Sequence, residues 1–276
     1  MRIQISHTTA YRYARPAKGV IQTLRLTPRN NAAQHVTRWR AEIDADARMR
    51  QGEDAFGNIV HSLNAAGPID AFSIHVEGEV ETRDTAGVLT GAVERFPAEL
   101  YLRATDLTAV NPGMADYARD AQDSCGAQSG DMLAVMHGLM SALGRDMTFD
   151  AEPTDSTTKA ADAFAAKRGV CQDYAHIFCA MARSLGVPAR YVSGYFHRAD
   201  NVVDQNAGHA WAEVHIKGLG WVGFDAANAI CTTDAHVRVA SALDYLGAAP
   251  VRGSRLGGND EFLSVAVKVT QLQIQS

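Results

Sequence analysis

The sequence predicts an α+β chain, with an antiparallel β-sandwich at its amino-terminal end and a mixed helix-and-strand half behind it. Three observations predict this. Apolar and polar residues alternate with period two through roughly the first ninety residues. Helical spacing takes over between Met132 and Leu185, and alternation returns from about residue 189 onward. One run of helices followed by consecutive strands makes the second half α+β rather than a βαβ sheet.

In the first part, Ile3, Ile5, Tyr11 and Tyr13 follow period-two spacing, and Trp39, Ala41 and Ile43 alternate with Arg38, Arg40 and Glu42. The clearest case sets Phe72, Ile74, Val76, Gly78 and Val80 against Ser73, His75, Glu77, Glu79 and Glu81, the pattern of an antiparallel sheet with one wet face. Asp54, Gly57 and Asn58 mark a turn between strands. Residues 84–113 hold Gly87, Gly91, Pro97, Pro112 and Gly113 and no long periodic run, so they read as a connection. The expected division is a β-sandwich domain over 1–90, a connection over 91–113 and a second domain over 114–276.

Met132, Val135, Met136, Leu139, Met140 and Leu143 form a helical stripe, with Ser129 as its cap and Gly144 as its stop. A core face explains its three methionines better than a binding groove does. A polar stretch at 150–158 leads to a short helix near 158–167. The next helix begins at about Cys171, carries Tyr174, Phe178, Ala182 and Leu185, and stops at Gly186 before Pro188. Strands are expected at about 189–197, 208–216 and 221–226. Leu263, Val265, Val267 and Val269 make a last strand, and the phase change to Leu272 and Ile274 predicts a bulge near Thr270 and Gln271.

Composition narrows the function. The 276 residues suffice for one or two domains, and 46% hydrophobic and 21% charged residues with a net charge of −5 give no footprint for nucleic acid. No apolar run has the length of a membrane span, and the start MRIQISHTTAYRYARP lacks the pattern of a secretory signal. A cytoplasmic protein without a membrane partner is the expectation. The cysteines, Cys125, Cys171, Cys179 and Cys231, contain no CxxC pair, which argues against structural zinc. Cys179, within a helix, reads as a small buried apolar residue, and Cys125 and Cys231 as the same.

Cys171 differs. It stands at a helix start, where unpaired N–H groups and the positive end of the helix dipole stabilise negative charge on sulfur. A thiol nucleophile needs a neutral imidazole within hydrogen-bond reach and a third group to orient that ring. His209, at the start of a strand in GHAWAEV, and Asp225, ending the apolar run Trp221-Val222-Gly223-Phe224, supply both. His215 lies too far along the strand, and His176 points away around the helix, so both read as structural or solvated. Asp225 alone would equally suit a turn cap. A tight two-residue turn at Gly218–Leu219 would put His209 and Asp225 on opposite faces, so the triad requires an odd-length loop or a bulge between them.

Residues 168–228 resemble the catalytic core of the transglutaminase-like superfamily, in particular its bacterial cysteine peptidases. The matching stretches are RGVCQDYAHIFCAMARSLGVPARYVSGY, GHAWAEVHIKGLGWVGFDAAN and, beyond them, HVRVA. YRYARP, LRLTPR and DAFGNIV resemble the β-rich domain that precedes this core in bacterial members. The resemblance implies a papain-like core, its nucleophile helix packed on an antiparallel sheet. It also implies Cys171 as nucleophile, His209 as general base and acid, and Asp225 as orienting carboxylate, with no cofactor. Two positions depart from the family's habit: Gly208 stands where Ser is common, and Ala226-Ala227 where Pro-Thr is common. Both bear on substrate geometry more than on chemistry. The N–H of Cys171 is a natural oxyanion donor, and spacing assigns no second one.

The expected activity is hydrolysis of an amide, peptide or isopeptide bond in a peptide or protein substrate. A transglutaminase passing the acyl group to an amine would use the same residues. A scaffold protein retaining the fold without turnover, or zinc held by Cys171, His209 and Asp225, are the remaining readings. The sequence leaves the substrate and oligomeric state open.

Overall fold

The computed structural model describes residues 1–125, 131–150, 154–200 and 202–272. The strands β1 (Arg2–Thr27), β2 (Gln34–Ile43), β3 (Ala47–Glu53) and β4 (Ile59–Thr82) come first. β5 (Val88–Leu89) and two 3-10 turns lead to α1 (Pro112–Ser124) and α2 (Met132–Asp146). β6 (Thr148–Phe149), α3 (Ala160–Ala166) and β7 (Arg168–Gly169) bring the chain to α4 (Cys171–Ser184). β8 (Ala189–Phe196), β9 (Asp204–Gln205), β10 (His209–Ile216), β11 (Gly220–Asp225), β12 (Ile230–Cys231) and β13 (His236–Ala242) follow. The described chain closes with α5 (Tyr245–Ala248), β14 (Val251–Gly257) and β15 (Glu261–Gln271). Among the described residues no helix is long and apolar enough to cross a membrane.

The early alternation becomes one antiparallel sheet of seven strands among the described residues. β1 and β4 pair along most of their length, with register shifts between Arg12 and Gly19. On one side of that break the pair is flanked by β2 and β15, on the other by β3 and β14. Tyr11, Phe72 and Ile74 from one part join Leu24, Leu63 and Ala65 from the other in a single apolar cluster. The sheet therefore folds over on itself, a sandwich whose layers share their central strands.

Both ends of the described chain build this sheet. β15 pairs with β1 from Ile3–Gln271 to Tyr13–Glu261 without a register shift, so the expected bulge at Thr270–Gln271 does not occur. Leu272 donates its N–H to the Arg2 carbonyl, and Ile274, on which the phase change rested, lies outside the described residues. Ile3, Ile5, Val80, Val267 and Val269 on this sheet share an apolar cluster with the helices and the second sheet.

The second sheet runs β12-β11-β10-β8-β13, with β5 added beside β11. One face, with Tyr191, Ala210, Ala212, Val214 and Phe224, packs in that same cluster with Ile177, Phe178 and Met181 of α4. Elsewhere in the sheet Arg190 is 1% exposed. It makes a two-pronged bond to Glu94 at 2.8 and 3.0 Å, a third to Glu213 at 2.6 Å, and lies 3.9 Å over the Trp221 ring. A guanidinium so buried is tolerated because its donors are matched by carboxylates.

Two side-chain amides tie the first sheet to the second at the outer strand. Gln34 exchanges two bonds with the backbone of Arg238, both 2.8 Å. Asn58 does the same with Ser241, at 2.9 and 2.8 Å.

The helices obey their capping signals with small differences. In α2 the stripe Val135, Met136, Leu139, Met140 and Leu143 is buried throughout. Asp131 caps it by accepting the Ala134 N–H at 3.1 Å, and Ser129 lies outside the described residues. The helix also runs through Gly144 to Asp146 instead of stopping there. A Cβ at Gly144 would meet the Ala229 Cβ at 3.0 Å, so this glycine serves close packing. α4 ends as expected: Gly186 has φ +77°, and the Val187 N–H returns to the Ala182 carbonyl.

Candidate active site

Three separate elements bring the predicted residues together. Cys171 is the first residue of α4, preceded by Val170 in extended conformation. Asp173, buried two residues on, accepts the Val170 N–H at 2.8 Å and fixes the entry into the helix. At this position the Cys171 N–H has no partner within its own helix.

His209 opens β10 and Asp225 closes β11. Their hairpin pairs Ala212 with Phe224, His215 with Trp221 and Ile216 with Gly220, which leaves a loop of three residues, Lys217, Gly218 and Leu219. Gly218 and Gly220 take φ of +83° and +90°, the conformation this loop needs. An odd-length loop keeps odd-numbered residues of both strands on one face, which resolves the conflict posed by a two-residue turn. His209 and Asp225 therefore meet, Nε2–H donating to Oδ2 at 2.7 Å. From the end of its strand His209 also lies close enough to the Cys171 side chain for the two to interact electrostatically. Since Nε2 serves Asp225, the nitrogen left for sulfur is Nδ1.

Asp225 is fully buried and carries more partners than the sequence disclosed. Asn228 donates its backbone N–H to Oδ1 at 3.2 Å and its side-chain amide to Oδ2 at 2.7 Å. His236, at the start of β13, approaches Oδ2 at 3.1 Å. The Thr233 N–H donates to His236 Nδ1 at 3.1 Å, which places the His236 proton on Nε2, pointing at Asp225. Sequence reasoning missed both residues. The spacing of Asn228 three positions after Asp225 was a readable turn-cap signal, whereas His236 stood at the head of the matching stretch HVRVA without a role assigned to it.

The charges follow from these contacts. Burial works against a charged His209, but the Asp225 carboxylate and the Cys171 side chain outweigh it and raise its pKa to about 10. Burial likewise opposes ionised Asp225, yet His209 and the bond from His236 hold its carboxyl well below the usual range. For His236 burial prevails over the pull of Asp225 and lowers its pKa. The set is an imidazolium at His209, a carboxylate at Asp225 and a neutral donor at His236.

His209, Asp225 and His236 also lie close enough together to meet a metal ion. The tautomer imposed by Thr233 puts a proton on the His236 nitrogen such an ion would need. This donor set suits hydrogen bonding.

The other candidates fall elsewhere. His176 is buried, accepts the Tyr245 N–H at 3.0 Å, and burial lowers its pKa to about 4. His215 packs edge-on against Trp221. Cys179 is fully buried and its thiol is pushed up to about 11 by burial. Cys171 and His209 face a cleft of about 530 Å³ between the start of α4 and the first sheet. His7, Thr9 and Tyr11 of β1 and Leu263 and Val265 of β15 form its far wall.

Comparison with known proteins covers most of the chain. Residues 119–226 match the transglutaminase-like superfamily core, and residues 3–81 match the bacterial transglutaminase-like N-terminal region. An uncharacterized protein of Mycobacterium leprae is 28% identical over 285 residues, spanning 98% of this chain and 99% of its own. An uncharacterized protein of Mycobacterium tuberculosis is 28% identical over 272 residues, spanning 91% and 87%. A crystal structure from Cytophaga hutchinsonii, solved as a candidate cysteine protease, superposes with a TM-score of 0.77. It covers 100% of this chain and 92% of its own at 19% identity, a likeness of fold.

Proposed function

This chain belongs to the transglutaminase-like superfamily through residues 119–226 and carries the bacterial N-terminal region over 3–81, and from that premise we propose that it is a cysteine-dependent acyl-transfer enzyme hydrolysing an amide, peptide or isopeptide bond. One observation carries the reading: His209 bonds Asp225 at 2.7 Å while it and Cys171 line the same cleft and interact there.

In this mechanism the Cys171 sulfur, having given its proton to His209, attacks the carbonyl carbon. The N–H of Cys171 at the helix start donates to the oxyanion. As the tetrahedral intermediate collapses, the C–N bond breaks and His209 Nδ1 gives its proton to the leaving nitrogen. A thioester remains on Cys171. Water then gives a proton to His209 and attacks the thioester, and the C–S bond breaks to release the acid. Asp225 holds the ring and its charge throughout, and His236 and Asn228 hold Asp225.

The test is alkylation by iodoacetamide followed by mass analysis of each cysteine. Cys171 is expected to react below pH 8, with buried Cys179 inert. A Cys171 that shows no reaction below pH 8 counts against the mechanism. Supplying an amine during turnover separates hydrolysis from transfer, since a transglutaminase incorporates it. Full biological effect in a Cys171→Ala protein would favour the scaffold reading.

A further inference from the structure

The wall opposite Cys171 is the face of the first sheet, and its apolar pattern continues beyond the core it helps to build. On β15, Val269 and Val267 are 2% and 1% exposed, whereas Leu263 on the same face is 56% exposed. Their partners on β1 are Ile5, His7 and Tyr11, with Thr9 opposite Val265. Over roughly 14 Å, four residues of strand rise, one face passes from packed core to open cleft while its β15 side chains stay aliphatic. Phe149 and Val202, 57% and 45% exposed, line the same cleft from outside the first sheet. Exposed apolar side chains converging from three elements mark a surface that is built to be covered.

The charged groups in the cleft are already engaged. Arg198 pairs with Asp200 at 2.5 Å, and Asp204 with Lys268 at 3.1 Å. His7 is buried between the Tyr195 hydroxyl at 2.9 Å and the Thr9 hydroxyl at 3.0 Å. Burial, helped by nearby His75, lowers its pKa to about 4, so it is neutral at ordinary pH. A charged substrate side chain would enter this cleft without a free counter-ion and lose hydration.

We propose that this wall binds the acyl side of the substrate, as an extended peptide segment whose side chains next to the attacked carbonyl are bulky, apolar and uncharged. Same-face side chains of an extended peptide repeat about every 7 Å, the spacing at which Val265 and Leu263 are presented. The acyl side is the part held through both half-reactions, so it gains most from such a platform. The proposal rests on Cys171 being the nucleophile, and its test keeps the two ideas apart.

The full chain is treated with acetyl-Leu-Leu, acetyl-Gly-Gly and acetyl-Asp-Asp chloromethyl ketones, with iodoacetamide as a reference reagent that makes no use of the wall. Labelling of Cys171 is followed by mass. The Leu-Leu reagent is expected to label about tenfold faster than the Gly-Gly reagent, the effect of burying a leucine side chain, with Asp-Asp slowest. Leu263→Asp should lower the Leu-Leu to Gly-Gly ratio by about threefold or more, a partial loss of that burial. Val202→Ser, from a separate loop, should lower it in the same direction, and a thermal melt verifies that each variant is folded. Equal rates for the three reagents, or an Asp-Asp preference, in a chain whose Cys171 reacts with iodoacetamide overturn the apolar site. Failure of iodoacetamide itself to label Cys171 removes the nucleophile reading, and the site with it.

Discussion

The two sides of Asp225 present histidines that share one carboxylate oxygen and settle in opposite charge states. His209 lies 2.7 Å from Oδ2 on the cleft side, and His236 lies 3.1 Å from it on the core side. Both rings lie tilted against Phe196, with centroids at 5.1 and 4.6 Å. Yet His209 is raised to about 10, burial being outweighed by Asp225 and Cys171, while burial lowers His236. The rings differ in what else they meet: the Cys171 side chain adds to the pull of Asp225 on His209, whereas the charge on His209 adds to burial in opposing charge on His236. A shared carboxylate is therefore insufficient to make a histidine an acid; the second partner decides which ring keeps the extra proton.

Asp225→Asn breaks the comparison outright. The expected loss in kcat is about 10⁴-fold, the scale seen when a triad loses its carboxylate. The alkaline limb of the pH–rate profile should also move down from about 10 toward the ordinary histidine value of 6.5. A limb that stays near 10 would show that Asp225 is not its source.

His236→Phe disturbs the core side alone. Losing one hydrogen bond to a charged group should cost roughly thirtyfold in kcat. Because the carboxylate then lacks a stabilising donor, the acid limb should move to higher pH, and His236→Gln, which keeps a donor, should restore part of both. A histidine that only fills space would leave the acid limb where it was.

Gly194→Ala strains both sides together. Gly194 is the β8 partner of His209, and an added Cβ would meet the Val237 carbonyl at 2.1 Å and the Trp211 ring at 2.7 Å. Trp211 in turn packs against both histidine rings, at 6.2 and 5.3 Å. Denaturant melts should register a loss of about 1–3 kcal/mol.

The smallest effect is on stability against pH. The raised pKa of His209 contributes stability that is complete below 6.5 and lost as pH rises through about 10. The lowered carboxyl of Asp225 contributes above 3.8 and is lost as pH falls. Between pH 7 and 10 the Tm of the native chain should therefore fall further than that of His209→Gln.

Much of this site was legible in the chain. Cys171, His209 and Asp225 announce themselves because each ends or begins a regular element, where a side chain can face a cleft. The demand for an odd-length loop was legible as well, but its position was not, since Gly218 and Gly220 each permit a turn. His236 was hidden because it meets Asp225 across the sheet, and local spacing says nothing about such a contact. The same limit applies to the first sheet. Alternation in Leu263, Val265, Val267 and Val269 identifies a strand and its face, but β15 finds its partner more than two hundred residues away in β1. The bulge inferred at Thr270–Gln271 failed for a related reason: pairing with β1, which local spacing does not disclose, holds one register unbroken to Gln271.

The amides of Gln34 and Asn58 have a consequence for the second sheet as a surface. β13 lies at the end of its strand order, and a bare outer edge would offer unpaired backbone groups to any passing strand. At Arg238 and Ser241 both the donor and the acceptor are already taken. The first sheet thus acts as a hem, sewn at two stitches along the margin of the strand that begins with His236, and it keeps that margin from adhering to a neighbouring molecule.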